Sequence, residues 1–125
     1  MKDVITSDRA PAPGGPYSAG LAVDGWIYLA GQGGTDPVTG SMADGIEAQT
    51  GQVFRNVEAL LEEAGASLDD VVSCLVHLTD LAHFPAFNAA YERQFPGIKP
   101  VRTTVRADLL AGMLVEVTVV ARRPL

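Results

Sequence analysis

A single cysteine, Cys74, stands in a chain of 125 residues. That scarcity excludes an internal disulfide framework and a multi-cysteine metal site, and it fits a reducing compartment. Histidine is nearly as rare. His77 and His83 share no metal-ligand spacing with each other or with Cys74, so no metal site is expected and both histidines read as structural. Basic residues number 9 against 15 acidic ones, for a formal net charge of −6. Arg122 and Arg123 are the only adjacent basic pair, and the clustered positive surface that nucleic-acid phosphates or anionic lipids require is missing. No apolar run approaches the ~20 residues that span a bilayer. The N-terminal stretch MKDVITSDRAPAPGG has no apolar core behind its lysine and carries Asp3 and Asp8, which predicts no secretory signal and a cytoplasmic protein. HExxH, GxSxG and Asp-rich calcium-loop patterns are absent. Gly31-Gln32-Gly33-Gly34 has no helix opening directly behind it and no Lys-Ser/Thr to complete a phosphate loop. No cofactor is therefore expected.

What is present suits one compact domain over residues 1–125, long enough to bury a core and too short for two. Leu21-Ala22-Val23 and Trp26 to Ala30 flank Asp24-Gly25, a pair that favours a tight antiparallel hairpin. Turn residues dominate from Gly31 to about Gly45. From Ile46 to Ala64 the apolar residues recur every three or four positions and Gly65 follows as a stop, which predicts a long amphipathic helix. Val71 to Leu78 is short, apolar and β-branched, as in a buried strand. A second helix is expected to carry the stripe Phe84, Phe87, Tyr91 and Phe95, with Pro85 in its first turn and Pro96-Gly97 at its end. Two further strands follow, Val101 to Ala107 and Met113 to Ala121. The order ββ-α-β-α-ββ predicts an α+β or mixed fold, one sheet covered on one face by two helices. The other sheet face would need cover, and a homo-oligomer would supply it.

The two final strands each hold a full charge in an otherwise apolar or β-branched setting, Arg102 and Glu116. Pairing the strands as a hairpin centred near Leu110 would put Glu116 opposite Thr104, with Arg102 on the adjoining diagonal. A one-residue slip would send the two charges to opposite faces. Stranding either charge would cost on the order of 3–5 kcal/mol, so the pair is either a solvated ion pair at a sheet edge or a site for a ligand carboxylate. Other candidates are open to both a structural and a functional reading. Tyr17 sits in the rigid bend Gly15-Pro16-Tyr17-Ser18 and can anchor the loop by packing. Asn88 lies in the second helix, where its amide can satisfy backbone groups. Gly31 opens a loop whose backbone N–H groups could line a small-molecule cleft.

Taken together, Gly15-Pro16-Tyr17-Ser18, Ala30-Gly31-Gln32, Gln49, Asn56, Phe87-Asn88 with Tyr91, Pro100-Val101-Arg102-Thr103 and Leu114-Val115-Glu116-Val117 resemble the RidA/YjgF family of enamine/imine deaminases in order and spacing. The resemblance runs from about Ile5 to Ala121. It implies a chorismate-mutase-like α+β fold forming a homotrimer with clefts between neighbouring subunits. It implies further that Arg102 binds a substrate carboxylate, that Glu116 positions or activates the attacking water, and that Tyr17 and Asn88 line the cleft. Ala30, Ala19 and Gly33-Gly34 depart from the family pattern, and Thr104 takes the place of a cysteine found in some members. These changes leave Arg102 and Glu116 intact and alter the cleft wall around Gly31 and Thr104, so the substrate stays open. The expected reaction is hydrolysis of 2-enamine/2-imine acids to 2-oxo acids and ammonia. The alternatives are a pathway-specific deaminase for a larger enamine acid and a non-catalytic, carboxylate-binding or chaperone-like trimer.

Overall fold

Asp24 and Gly25 both take positive φ, 51° and 84°, the pair of left-handed residues that a type I′ turn demands. They join β2 (Gly20–Val23) to β3 (Trp26–Leu29) as an antiparallel hairpin. A computed structural model describes residues 1–125 and adds an edge strand, β1 (Asp3–Ile5), antiparallel to β2. The first helix, α1 (Gly45–Glu63), stops where Gly65 turns to φ 77°. Strand β4 (Val71–Leu78), helix α2 (Phe84–Glu92), strand β5 (Val101–Arg106) and strand β6 (Val115–Arg122) complete the chain.

All six strands form one sheet in the order β1-β2-β3-β6-β4-β5, with both helices on one face. That face holds the core. Val115, Val117, Val119 and Ala121 alternate inward from β6, Cys74, Val76 and Leu78 do so from β4, and Val53, Val57, Leu60 and Leu61 meet them from α1. Phe54 packs edge-on against Tyr91 and Phe95, at 5.7 Å and 5.5 Å between ring centroids, and so ties α1 to α2 and its exit. The opposite face has no layer over it. Trp26, Tyr28, Leu75, Val101 and Val105 remain 38–68% exposed there.

The expected hairpin between the last two strands does not form. β4 lies between them, antiparallel to β6 and parallel to β5. The reason is the helix in the connection: β4-α2-β5 is a crossover unit, and such a unit lays its two strands side by side and parallel. β4, with six apolar residues of eight, takes a position flanked on both edges. Glu116 consequently faces His77, not Thr104, and Arg102 faces Cys74.

Candidate active site

Side chains alternate across a sheet, so the register decides what Arg102 and Glu116 can reach. Arg102 pairs with the buried Cys74 and points to the helix-covered face. Its guanidinium carbon lies 4.7 Å from the centre of the Tyr91 ring, 5.6 Å from that of Phe84 and 5.7 Å from that of Phe87. Three aromatic faces thus hold the guanidinium plane by cation–π attraction. The stripe expected on α2 is present, and it clamps the arginine. Burial pushes the Tyr91 hydroxyl and the Cys74 thiol up from their ordinary values, so both are neutral at physiological pH and neither competes with a ligand for the positive charge. Asn88, Tyr91, Lys99, Pro100 and Arg102 line an open cavity of about 500 Å³. Thr104 stands two residues along β5 on the same face, and its Oγ1 is buried without a hydrogen-bond partner.

Glu116 occupies the other face, and its surroundings differ in kind. A Cβ on Gly31 would stand 2.6 Å from the Glu116 carboxyl carbon and 2.9 Å from Oε1, so any larger residue here would push the carboxylate aside. Gln32 fastens that loop to β6 by a reciprocal pair, its N–H donating to Val117 O at 2.9 Å and its carbonyl accepting from Val117 N at 3.0 Å. Gly33 and Gly34, which depart from the family pattern, have local reasons. A Cβ on Gly33 would strike Met113 and one on Gly34 the backbone of Gln49. Tyr17, half exposed, receives a hydrogen bond at its hydroxyl from Gly14 N at 3.2 Å. Tyr17, Gly31, Gln32, Met113 and Glu116 line a second cavity of about 310 Å³.

The candidate residues therefore fall into two groups. Asn88, Arg102 and Thr104 belong to one and Tyr17, Gly31 and Glu116 to the other, and within one chain Arg102 and Glu116 do not meet. Two buried polar residues of α1 support the loops of the second group. Asn56 Nδ2 donates to Gly33 O and Thr35 O at 3.1 Å and 2.9 Å. Gln49 binds both Gly112 O and Leu114 N, at 3.3 Å and 2.8 Å. Both are fixed structural parts of the site. A residue that the sequence reading set aside also belongs here: His77 stands directly across from Glu116, its Nδ1 3.6 Å from Oε1. The signal that could have found it is the register of β4 against β6.

The family model described as Endoribonuclease L-PSP matches residues 7–123. The chain belongs to this family, the RidA/YjgF proteins. A RutC family protein of Saccharolobus solfataricus is 42% identical over 98% of this chain and 99% of its own. Reactive Intermediate Deaminase A, the chloroplast protein of Arabidopsis thaliana, is 36% identical over 87% of this chain and 59% of its own. The crystal structure of RidA from the Antarctic bacterium Psychrobacter superposes with a TM-score of 0.94 at 38% identity, covering 96% of this chain and 98% of that one. The six-stranded sheet with two helices is thus the fold of its RidA/YjgF relatives. No helix is long and apolar enough to cross a membrane.

Proposed function

We propose that this RidA/YjgF member is a cofactor-independent deaminase that hydrolyses small 2-enamine/2-imine carboxylic acids, with each active site joining the Arg102 half of one subunit to the Glu116 half of the next. The observation that carries this is the division of the site: a clamped guanidinium on one face of the sheet, a propped carboxylate on the other, and exposed apolar side chains around the latter. A contact between two different patches closes into a ring when its rotation is a whole fraction of a turn, and the ring proposed is the homotrimer that the family resemblance implies. The Arabidopsis relative's name, a reactive intermediate deaminase, supports the chemistry.

In the proposed reaction Arg102 grips the substrate carboxylate with two parallel hydrogen bonds, and Asn88 lines the same cavity. Tyr17 and Gly31 close the other wall. Glu116 takes a proton from water as the oxygen bonds to the imine carbon, and that proton passes to the nitrogen. Transfer of the adduct's hydroxyl proton to the nitrogen, through Glu116, lets the C–N bond break as the carbonyl forms, releasing ammonia and the 2-oxo acid. An enamine first gains a proton at carbon and loses one from nitrogen to become the imine. Because these imines hydrolyse unaided in water, positioning of acid and water supplies most of what is needed. RNA cleavage, which the family description suggests, is poorly supported by a chain of net charge −6 whose candidate arginine is turned onto aromatic rings.

The test mixes subunits. Arg102→Ala and Glu116→Gln, each made alone, should fail to accelerate loss of 2-aminoacrylate generated by a dehydratase. Co-expressed in equal amounts, they should assemble randomly and leave about one quarter of the intersubunit sites with both groups intact, so about one quarter of wild-type activity returns. Sedimentation should give three times the 13.1 kDa chain mass. Mixed subunits as inactive as their parents would overturn the divided site. A wild type that leaves 2-aminoacrylate and larger enamine acids untouched, yet binds a stable 2-oxo acid, would establish the binding-module alternative.

A further inference from the structure

We propose that His77 is a positioning residue for Glu116, donating its Nδ1 proton to the Glu116 carboxylate; the functional part of this rests on the deaminase reading. His77 and Glu116 are register partners on β4 and β6. Their side chains stand on the uncovered face with Nδ1 3.6 Å from Oε1, each about a quarter exposed. The distance is too long for a hydrogen bond and short enough for small torsions of both side chains to close it. Nδ1 is buried and has no hydrogen-bond partner. A buried ring nitrogen left unpaired is uncommon enough to need a reason.

Glu116 is the carboxylate that the strands set against Nδ1 on this face, where β6 also turns Thr118 and β4 Ser73. β5 presents Val101, Thr103 and Val105 to this face, and β3 presents Trp26 and Tyr28. The other charged residue that β6 turns this way, Arg122, lies six residues farther along the strand. The Gly31 loop also lies near this carboxylate, since a Cβ on Gly31 would stand 2.6 Å from its carboxyl carbon. The carboxylate thus lies near both the Gly31 loop and the His77 imidazole, and an Nδ1–H pointing at Oε1 would leave the other oxygen free to take a proton from water. A phenyl or aliphatic side chain at position 77 would fill the same space and supply no donor.

Two measurements test this. Imidazole ¹⁵N shifts at mildly alkaline pH should show His77 with its proton on Nδ1 in the wild type. In Glu116→Ala the proton should move to Nε2, the tautomer a neutral imidazole otherwise favours, while His83, which has no carboxylate partner, should not change. The same His77 tautomer in both proteins would overturn the pairing, and this arm needs no substrate. In the imine assay His77→Phe should lower kcat about tenfold with KM nearly unchanged, because the carboxylate is loosened and the acid anchor is untouched. His77→Asn, whose amide N–H can stand near the Nδ1 position, should recover part of the loss. Wild-type kcat in His77→Phe would overturn the positioning role. A wild type with no deaminase activity would sink the deaminase reading and leave the ¹⁵N measurement to decide the pairing.

Discussion

Arg102 and Glu116 are one functional pair in sequence terms, yet the fold prepares them in opposite ways. The guanidinium is packed: three aromatic rings lie against it, on the side of the sheet where the core is. The carboxylate is propped: a glycine loop, bonded to β6 through Gln32 and to α1 through Asn56, stands against it on a face that no layer covers. A cation on a flexible stem loses substantial freedom when it binds, so clamping it beforehand reduces the entropy lost on ligand capture. A group that must orient water needs a defined place and some access, and backbone walls give both. On the proposed reaction, the difference teaches that the carboxylate anchor would be built into each chain and the half that would handle water left open for completion.

The sharpest break of this comparison removes the packed half. Arg102→Ala should lower kcat/KM for an imine acid by at least about 10²-fold, since binding and orientation fail together. Arg102→Lys should recover little, because an ammonium offers neither the planar fork nor the stacked face. Both variants should stay folded. The stacked cation contributes only about 0.5–2 kcal/mol, while Phe54, Phe87, Tyr91 and Phe95 still pack together. Near wild-type kcat/KM in Arg102→Lys would show that a simple positive charge suffices and that the aromatic clamp serves only the fold.

A smaller break targets the propped half. In Gly31→Ala the new methyl would stand 2.6 Å from the Glu116 carboxyl carbon, and the carboxylate must swing away. Turnover should fall roughly 10- to 100-fold. Affinity for a stable 2-oxo acid, measured by calorimetry, should fall less than turnover, because the Arg102 that a neighbouring subunit brings to the cleft keeps its aromatic clamp. Equal loss of turnover and affinity would mean that the two halves are not separable in this way.

Much of this architecture was legible in the residues. β4 spans Val71–Leu78 as its composition predicted, α1 stops just before Gly65 as expected, and Asp24-Gly25 makes the expected turn. Local chemistry specifies such features. The neighbour relation of the last two strands was not legible from their own residues, because strand order depends on a competition between a direct hairpin and the crossover through α2. Once β4 inserts between β5 and β6, the even-numbered residues of the two strands no longer share a face, and Arg102 and Glu116 separate. β1 escaped notice because three residues, two of them exposed, carry too little pattern. Gln49 and Asn56 belonged to the motif, but their hydrogen bonds to loops 63 and 23 residues away could only be seen in three dimensions.

The smallest expected effect sharpens the packed half alone. Burial raises the Tyr91 hydroxyl above its ordinary 10.0 and the Cys74 thiol above its ordinary 9.0. In the unfolded chain both groups would ionise near those ordinary values, whereas the folded protein keeps them protonated. Stability from each is therefore fully present below the unfolded value and is lost as pH rises through it toward the raised folded value. The unfolding midpoint should hold steady up to about pH 9 and then decline, first through Cys74 and more steeply beyond about pH 10 through Tyr91. Tyr91→Phe keeps the ring under Arg102 and removes the ionisable hydroxyl, which is buried without a geometric partner. Its midpoint should fall less than the wild type's between about pH 10 and pH 11. Thermal scans by circular dichroism across that range would check it. An identical alkaline decline in both proteins would mean that solvent reaches the Tyr91 hydroxyl, and that the clamp around Arg102 is looser than its three rings suggest.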